Sequence, residues 1–312
     1  MVSDVPTVGE EASVAEIEKL LLKKAALFST INYIYILDSS GRLVGAVSVK
    51  EIFRSSKTAI VKNLLPTKLI SVSVGTDQER VAMLALKHSL KAVPVVDKYK
   101  KFLGVVPSDV ILRILHEEAT EDIMRLSGVI HEDHYQEAGS GRSLFGALKQ
   151  RLPWLIAGLA GGMLAADIVG RFEGILAEHI ILAAFIPLIV YMSGATCAQT
   201  QAFIIRDLAF NPGLKFFKYF LKQFGITVIM ALATAGLLYL ASLWLYGQAD
   251  ISFVLALALF VAVLSSLFTG LLIPFLSSRL RFDPAAVSGP VGTIIQDILS
   301  IIVYLSVAVC LL

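Results

Sequence analysis

Two patterns of apolar and polar residues divide the chain. Up to about residue 140, apolar residues come in short runs between charged and turn residues, which is typical of a domain of helices and strands. Five long apolar stretches follow, each near the roughly 20 residues needed to cross a bilayer. They lie at 152–169, 180–205, 224–246, 251–276 and 284–312. The pattern predicts an α-helical membrane protein with five transmembrane helices, preceded by an α+β domain.

A short pattern occurs twice in the first part of the chain. Each copy is predicted as a strand that ends at an aspartate, a turn, and a second strand with a glycine. The offset is 59 residues both from Asp38 to Asp97 and from Gly45 to Gly104. Flanking helices are predicted at 14–27, 50–54, 78–89 and 108–116. We expect the glycines where a strand turns into a helix, since glycine tolerates unusual backbone angles. The repeat indicates two copies of one structural unit.

The charges support the division and orient the membrane part. Residues 1–140 hold 17 basic and 18 acidic residues, whereas residues 141–312 hold 10 and 7, so the second part is much poorer in charge. Nine of its cations fall on the side of the first domain: Arg142, Lys149, Arg151, Arg206, Lys215, Lys218, Lys222, Arg279 and Arg281. Only Arg171 falls on the other. The positive-inside rule therefore predicts a cell-membrane protein with a cytoplasmic first domain and its C-terminus on the opposite side.

Several classes of protein are disfavoured by composition. The net charge of +2, with no basic face, argues against nucleic-acid binding. Cys197 and Cys310 both lie in apolar stretches, so no disulfide framework is expected. Residues 1–25 lack a basic segment followed by an apolar run, which predicts no signal peptide. No nucleophile elbow or phosphate loop is visible, and we expect no enzyme.

The most unusual residue of the apolar stretches is Asp297. A carboxylate at bilayer depth costs about 2.5–3.5 kcal/mol on insertion scales, which makes it a functional candidate. Helical spacing predicts one polar face on the fifth stretch: Gly289, Thr293, Asp297, Ser300 and Tyr304. A second polar face is predicted on the second stretch: Ser193, Thr196, Gln199 and Thr200. Such faces meet water or protein. They line a cation path or, alternatively, form seams where helices pack closely.

The repeat resembles a tandem pair of CBS domains, over about residues 4–116. Such pairs commonly sense adenine nucleotides or ions and pass a signal to a partner domain. Nucleotide-binding copies often have a hydroxyl and a carboxylate after the glycine, for phosphate and ribose. The first copy offers Ser48 and Glu51, a partial match, whereas the second has Pro107 at the hydroxyl position. The resemblance therefore implies ATP or another adenine nucleotide as one ligand, and a purely dimerising module as the alternative.

Motifs in the second part come in a fixed order after an acidic connector at 117–123. They are Arg151-Leu152-Pro153-Trp154-Leu155, Arg171-Phe172-Glu173, Phe185-Ile186-Pro187-Leu188, Ile205-Arg206-Asp207-Leu208-Ala209, and Asp283-Pro284-Ala285 through Ser288-Gly289-Pro290 to Asp297. This order resembles the MgtE family of magnesium channels and transporters, over about residues 5–312. The resemblance implies a homodimer, a pore on the twofold axis lined by the second and fifth helices, and CBS domains that close the pore when internal magnesium is high.

Roles for individual residues come partly from the resemblance, which implies the ion site, the match at Gly194 and the sensing acids, and partly from the polar faces and the outer charges themselves. Asp297 takes the position of the pore ion site, which suits Mg²⁺ because this ion keeps several waters and takes one or two carboxylates. Pore-lining positions are Ser193, Gly194, Thr196, Thr200, Gly289 and Thr293. Cytosolic magnesium sensing falls to Asp283, Asp122 and Glu121. At the outer end, Asp167 and Glu173 either attract cations to the entrance or, for Asp167, reach headgroup water at the interface.

The chain departs from the family pattern in three places. Many members read Gly-Gly-Asn-x-Gly-Asn-Gln-Ser where this chain reads Ser193-Gly194-Ala195-Thr196-Cys197-Ala198-Gln199-Thr200, so both asparagine amides are replaced. Val110 and Arg113 occupy positions that are acidic in magnesium-sensing members. The sequence starts with the CBS pair, without the family's preceding acidic helical domain. These departures put magnesium selectivity and gating by magnesium in question.

The predicted organisation is a CBS pair at 1–116, an acidic connecting helix and linker at 117–150, and a five-helix ion-conducting domain at 151–312. The segment His131-Glu132-Asp133-His134 is either a metal cluster or, as we favour, a polar linker. The predicted function is passage of Mg²⁺ or a related divalent cation, gated by the CBS pair. A carrier or exporter of Co²⁺ or Mn²⁺ is one alternative. A membrane-anchored nucleotide receptor that conducts nothing is the other.

Overall fold

The computed structural model describes residues 1–66, 69–129, 144–211, 213–280 and 282–312. These residues form two compact units, Met1–Ala119 and Thr120–Leu312. The predicted linker or metal cluster at residues 131–134, and the loop cations Arg142 and Arg281, lie outside the described residues.

The first unit contains two three-stranded sheets of the same design. The first sheet has the order β1 (Thr7–Gly9), β2 (Tyr33–Leu37) and β3 (Leu43–Ser48), and the second has β4 (Val72–Ser73), β5 (Ala92–Val96) and β6 (Phe102–Pro107). In both sheets the first pair is parallel and the second antiparallel. The helices that follow or separate these strands are α1 (Val14–Lys24), α2 (Val49–Arg54), α3 (Gln78–Lys87) and α4 (Ser108–Leu126), and the residues of α4 from Thr120 onward belong to the second unit. The predicted repeat is confirmed, and the short strands β1 and β4 are additions to it.

The repeat extends to the turns that join the antiparallel strands. Oδ1 of Asp38 accepts hydrogen bonds from the backbone N–H groups of Ser40 and Arg42, at 2.8 and 2.9 Å. Oδ1 of Asp97 accepts from those of Tyr99 and Lys101, both at 2.8 Å. An aspartate after a strand stabilises the turn in this way. The bond from the Ser40 hydroxyl, followed by that from the Arg42 N–H, holds the pKa of Asp38 below its usual value.

The expected role of the repeated glycines is wrong. Gly45 lies inside β3 and Gly104 inside β6, and neither marks a change from strand to helix. Their lack of a side chain has a steric reason instead. A Cβ at Gly45 would collide with the Leu65 side chain, and one at Gly104 would collide with the carbonyl of Val2. In addition, φ of Gly104 is +151°, a value that other residues rarely adopt.

The second unit is helical. Its helices are α5 (Leu144–Gly170), α6 (Glu173–Glu178), α7 (Ile180–Phe210), α8 (Phe216–Tyr246), α9 (Ala249–Arg279), α10 (Pro284–Ser288) and α11 (Pro290–Leu311). Five segments are long and apolar enough to cross a membrane: α5, α7, α8, α9, and α10 with α11 together. This confirms the five predicted membrane helices. The helix α9 is the most buried of them and packs against α7, α8 and α11.

Several helices extend beyond their predicted bounds, and the largest differences among the membrane helices are at two starts. The helices α5 and α8 begin at residues 144 and 216, eight residues before the predicted starts at 152 and 224. Charged residues at these ends do not break a helix, although they do lie outside the apolar window. The helix α4 similarly runs from Ser108 to Leu126 without interruption, so the closing helix of the second repeat and the acidic connector form one helix.

The fifth segment is broken rather than continuous. Gly289 separates α10 from α11 and has φ −58° and ψ −86°, outside the helical range. Pro290 follows, and a proline has no N–H group to continue the hydrogen-bond ladder of the preceding turn. Asp283 caps α10, because its Oδ1 accepts a 2.7 Å hydrogen bond from the N–H of Ala285. The segment therefore has a short N-terminal helix and a long C-terminal one.

Candidate cation site

A single carboxylate, that of Asp297, faces a large cavity among the described residues of the second unit. The cavity has a volume of about 800 Å³, and its walls come from α5, α7, α11 and the residues that end α4. Asp297 is half-buried in its wall, among mainly apolar residues such as Trp154 and Val190. Among the described residues, its carboxylate has no hydrogen-bond partner and no ion pair. An unpaired carboxylate in an apolar setting is costly. A cation in the cavity would offset that cost.

The structure brings several predicted site residues to Asp297. Gly289 and Thr293 line the same cavity, and the Thr293 hydroxyl donates to the carbonyl of Gly289 at 2.8 Å. A Cβ atom at Gly194 would lie 3.7 Å from Oδ1 of Asp297, so this part of α7 passes close to the carboxylate. Tyr191 and Pro187, one and two turns before Gly194 in α7, also line the cavity. The Gly194 backbone and the Asp297 carboxylate are therefore neighbours across the two helices.

The other members of the predicted polar faces lie elsewhere. Ser300 and Tyr304 are fully buried against α7, and the Tyr304 hydroxyl donates to the carbonyl of Leu182 at 2.6 Å. Ser193, Thr196 and Thr200 are also buried. Their hydroxyls donate to carbonyls of their own helix at 2.9, 3.0 and 2.8 Å. Within the part of the subunit that is described, these residues belong to helix packing, and their place in a pore stays a prediction.

Two buried glutamines near the site were missed at the sequence level. Gln296 is fully buried between α11, α9 and α7, where its Oε1 accepts from the Thr269 hydroxyl. Gln201 of α7 packs against Gly292 of α11, where any side chain would collide with its amide. Its Nε2 is buried and has no hydrogen-bond partner among the described residues. The signal for Gln296 was a second strongly polar side chain directly beside Asp297, outside the predicted polar face of that helix.

The predicted sensing acids are joined by an arginine. The guanidinium of Arg125 forms ion pairs with Glu121, one turn earlier in α4, and with Asp283, the cap of α10. Asp122 lies beside Glu121 and is half-buried. In the described part of the chain, no three His, Cys, Asp or Glu side chains lie close enough to share a metal ion. Glu121 and Asp283 thus already have a cationic partner.

The predicted outer acids are both exposed. Asp167 in the last turn of α5 accepts hydrogen bonds from Nη2 and Nε of Arg171, at 2.8 and 3.1 Å. Glu173 is the first residue of α6. The charge of Asp167 is therefore balanced by its neighbour, and a role at an entrance stays a prediction for both acids.

The first unit has a separate pocket of about 420 Å³ beside the predicted nucleotide residues. Ser48 and Glu51 both line it, and the Ser48 hydroxyl caps α2 by accepting from the Glu51 N–H at 3.2 Å. Tyr35, another lining residue, is 1% exposed and its hydroxyl has no partner among the described residues. Burial raises the pKa of this hydroxyl above its usual value. The pocket thus offers an unused buried donor.

These features define a multi-pass membrane protein with a repeated α+β domain and a carboxylate-bearing cavity between its helices. Two family models agree with the two units. The CBS domain model matches residues 1–57 and 61–117, and the MgtE model, described as a divalent cation transporter, matches residues 186–307.

Curated relatives match across both units. The chain is 32% identical to the magnesium transporter MgtE of Thermus thermophilus over 315 residues, covering 100% of this chain and 69% of that protein. It is 30% identical to that of Bacillus subtilis and 32% identical to that of Enterococcus faecalis, covering 62% and 63% of those proteins. The chain belongs to the MgtE family. The relatives are transporters, which agrees with the prediction of no enzyme, and the chain spans about two thirds of their length.

Two solved structures resemble part of the chain. One is the soluble part of a magnesium transporter, which is 30% identical to the matched residues with a TM-score of 0.37. The match covers 38% of this chain and 46% of that structure's chain. The other is the cytosolic domain of the Mg²⁺ channel MgtE in complex with ATP, which is 32% identical with a TM-score of 0.36. The match covers 36% of this chain and 46% of that structure's chain.

Proposed function

We propose that this protein carries Mg²⁺ across a cell membrane and that Asp297 is its ion site. The observation that supports this most is the half-buried Asp297 carboxylate, which faces an 800 Å³ cavity without a partner among the described residues. Magnesium releases water reluctantly and usually takes only one or two carboxylates. One such group in a roomy cavity suits an ion that keeps its water shell. The curated MgtE relatives, which are magnesium transporters, support the choice of ion.

The rest of the proposed assembly follows the family. Two subunits form a homodimer with Asp297 of both near the twofold axis, and Gly194, Gly289 and Thr293 beside it in the pore. The first unit is cytoplasmic and regulates the pore, and the C-terminus lies on the other side of the membrane. The excess of Lys and Arg in the loops on one side supports this orientation.

Ion flux into liposomes tests the proposal. The full chain is reconstituted and uptake of Mg²⁺, Mn²⁺, Co²⁺ and Ca²⁺ is measured for the wild type, Asp297→Asn and Asp250→Asn. The Asp297 substitution removes the charge and keeps the shape, and we expect uptake to fall at least tenfold. Asp250 lies exposed at the start of α9 and serves as a matched control with unchanged uptake.

The other outcomes separate the alternatives. Uptake that survives Asp297→Asn would overturn the ion site. Uptake of Co²⁺ or Mn²⁺ in preference to Mg²⁺ would favour a transporter of another divalent ion. No uptake of any ion, together with nucleotide binding, would favour the receptor.

We further propose that the pocket of the first unit binds an adenine nucleotide. The unpartnered Tyr35 hydroxyl supports a polar ligand there, and Ser48 and Glu51 lie on the same wall. Titration of the full chain with ATP by calorimetry tests this. We expect Tyr35→Phe to weaken binding several-fold, because one buried hydrogen bond is lost. Tyr99→Phe, at an exposed ring outside the pocket, is the control. Equal affinity for both variants would contradict the pocket assignment.

A further inference from the structure

One buried amide connects the fifth segment to two neighbouring helices, at the residue before the proposed ion site. The side chain of Gln296 is fully buried. Its Oε1 accepts from Thr269 Oγ1 of α9, and its Nε2 donates to Ser300 Oγ at 3.0 Å. Ser300 Oγ lies 2.5 Å from Ser193 Oγ of α7. A single amide thus takes part in a hydrogen-bond network across α7, α9 and α11.

Within the described residues, every member of the network has a partner. The Ser193 hydroxyl donates to the carbonyl of Ile189 in its own helix, so the Ser300 hydroxyl is the donor between the two serines. On the α9 side, Thr269 Oγ1 lies 3.4 Å from the Cys197 thiol. A fully satisfied polar network inside an apolar core makes the packing rigid and specific. In packed helices, one buried amide can fix the register that aliphatic side chains leave open.

The rotation of α11 decides where the ion site is. Successive residues of an α-helix point about 100° apart, so the inward amide of Gln296 directs Asp297 to the cavity side. At the helix surface, about 5–6 Å from the axis, a roll of about 20° displaces a side chain by about 2 Å. That displacement equals a whole Mg²⁺–oxygen distance of about 2.0–2.1 Å. Small rotations of α11 would therefore change which ions Asp297 holds well.

We propose that Gln296 is a positioning residue that fixes the rotation of α11 and thereby the selectivity of the Asp297 site among divalent cations. The inference rests on the proposed ion site at Asp297. Mg²⁺ and Ca²⁺ differ in oxygen distance, about 2.0–2.1 against 2.3–2.6 Å, and in how firmly they keep water. A carboxylate held at a fixed position discriminates between these shells, whereas a carboxylate that shifts with a rolling helix discriminates less. The buried amide supplies this constraint in a chain whose second helix lacks both family asparagines.

Two substitutions from different helices test the role. Gln296→Met removes the amide and keeps the length of the side chain, and Thr269→Val removes its partner without changing α11. We expect each to lower the ratio of Mg²⁺ to Ca²⁺ uptake by about three- to tenfold, and the double variant to be less than additive. Thr234→Val in α8 is the matched control, because its hydroxyl bonds to carbonyls of its own helix, at 2.9 Å to Met230 and 3.2 Å to Ala231. The ratio of Mg²⁺ to Ca²⁺ uptake of the Thr234→Val variant should equal that of the wild type.

A second measurement reports position without transport. In a Cys310→Ser background, Asp297→Cys is labelled with a positively charged thiosulfonate reagent, with and without Gln296→Met. We expect the labelling rate to change at least threefold, and thermal melting confirms that the variants are folded. If Gln296→Met does not fold, the uptake ratio of Thr269→Val decides. An unchanged ratio in folded variants, with an unchanged labelling rate where it is measured, would overturn the positioning role.

The two proposals fail in different ways. Uptake that is lost in Asp297→Asn, with an unchanged ion ratio in both network variants, overturns only the role of Gln296. Uptake that does not depend on Asp297 overturns the ion site, while the labelling rate still reports whether Gln296 sets the position of residue 297.

Discussion

The guanidinium of Arg125 pairs with the carboxylate of Asp283, joining the last turn of α4 to the residue that caps α10. Both side chains are about one third exposed, at 32% and 29%. The same guanidinium pairs with Glu121. The chain therefore supplies its own positive charge between two acids for which the family resemblance predicts a magnesium ion.

Removal of this charge should be measurable as a change in stability. Arg125→Gln is expected to lower the free energy of unfolding by about 0.5–1 kcal/mol, the range for partly exposed ion pairs. The two acids would then lie close together without a cation, and millimolar Mg²⁺ should raise the melting temperature more than in the wild type. Arg113→Gln, which removes an exposed pair with Glu117 at 3.9 Å, is the control. Equal effects of Mg²⁺ on both variants would contradict this account.

Gly289 should tolerate no side chain. A Cβ there would collide with the backbone of Leu126, and backbone atoms cannot move aside as the end of a side chain can. Gly289→Ala is therefore expected to cost about 1–3 kcal/mol, the usual range for overpacking. Gly225→Ala in α8 adds the same atom where nothing lies within 4 Å. Chemical denaturation gives the free energy of unfolding of both variants. A Gly289→Ala variant as stable as Gly225→Ala would contradict the prediction, because it would show that the backbone at the end of α4 moves aside at little cost.

The buried hydroxyl of Tyr304 should contribute to the packing of α11 on α7. Tyr304→Phe removes the 2.6 Å hydrogen bond to the Leu182 carbonyl and leaves the ring in place. The expected loss is about 0.6–1.7 kcal/mol, as for other hydrogen bonds between membrane helices. Tyr191→Phe, with a ring 73% exposed, is the control and should be neutral. Thermal melting in detergent checks both, and a neutral Tyr304 variant would contradict the prediction.

The turn aspartate of the first repeat should make stability depend on pH. The folded pKa of Asp38 is lowered by its hydrogen bonds to Ser40 and Arg42. A lowered pKa stabilises the fold above the unfolded value, and this contribution is lost as the pH falls through the folded pKa. Asp38→Asn should therefore be less stable than the wild type at pH 7, with a gap that closes toward pH 3. Melting curves from pH 7 to 3 test this, and Ser39→Ala, in the same turn, should show no such closing gap.

The features that could be predicted from the sequence are those that follow from the length of apolar stretches and from the spacing of repeated residues. Apolar length alone located five spans, and the 59-residue offset located two sheets whose turn aspartates make matching hydrogen bonds. Sequence could not show which side of a polar helix face is covered. Ser300 is three residues from Asp297, yet α7 covers the serine and leaves the aspartate at the cavity. That difference comes from the packing of a helix about 100 residues away in the chain, which no local pattern contains.

The place of Asp297 along α11, which begins directly after the break at Gly289, has an electrical consequence for the proposed site. Asp297 is the eighth of the 22 residues of α11. At 1.5 Å per residue it lies about 10 Å from the Pro290 end and about 21 Å from the Leu311 end. A divalent cation that reaches the carboxylate from the Leu311 end therefore crosses about two thirds of the helix length, and one from the Pro290 end about one third. A membrane voltage is worth about 2.3 kcal/mol per charge per 100 mV over the full span. It therefore acts about twice as strongly on entry from the Leu311 end as on entry from the Pro290 end.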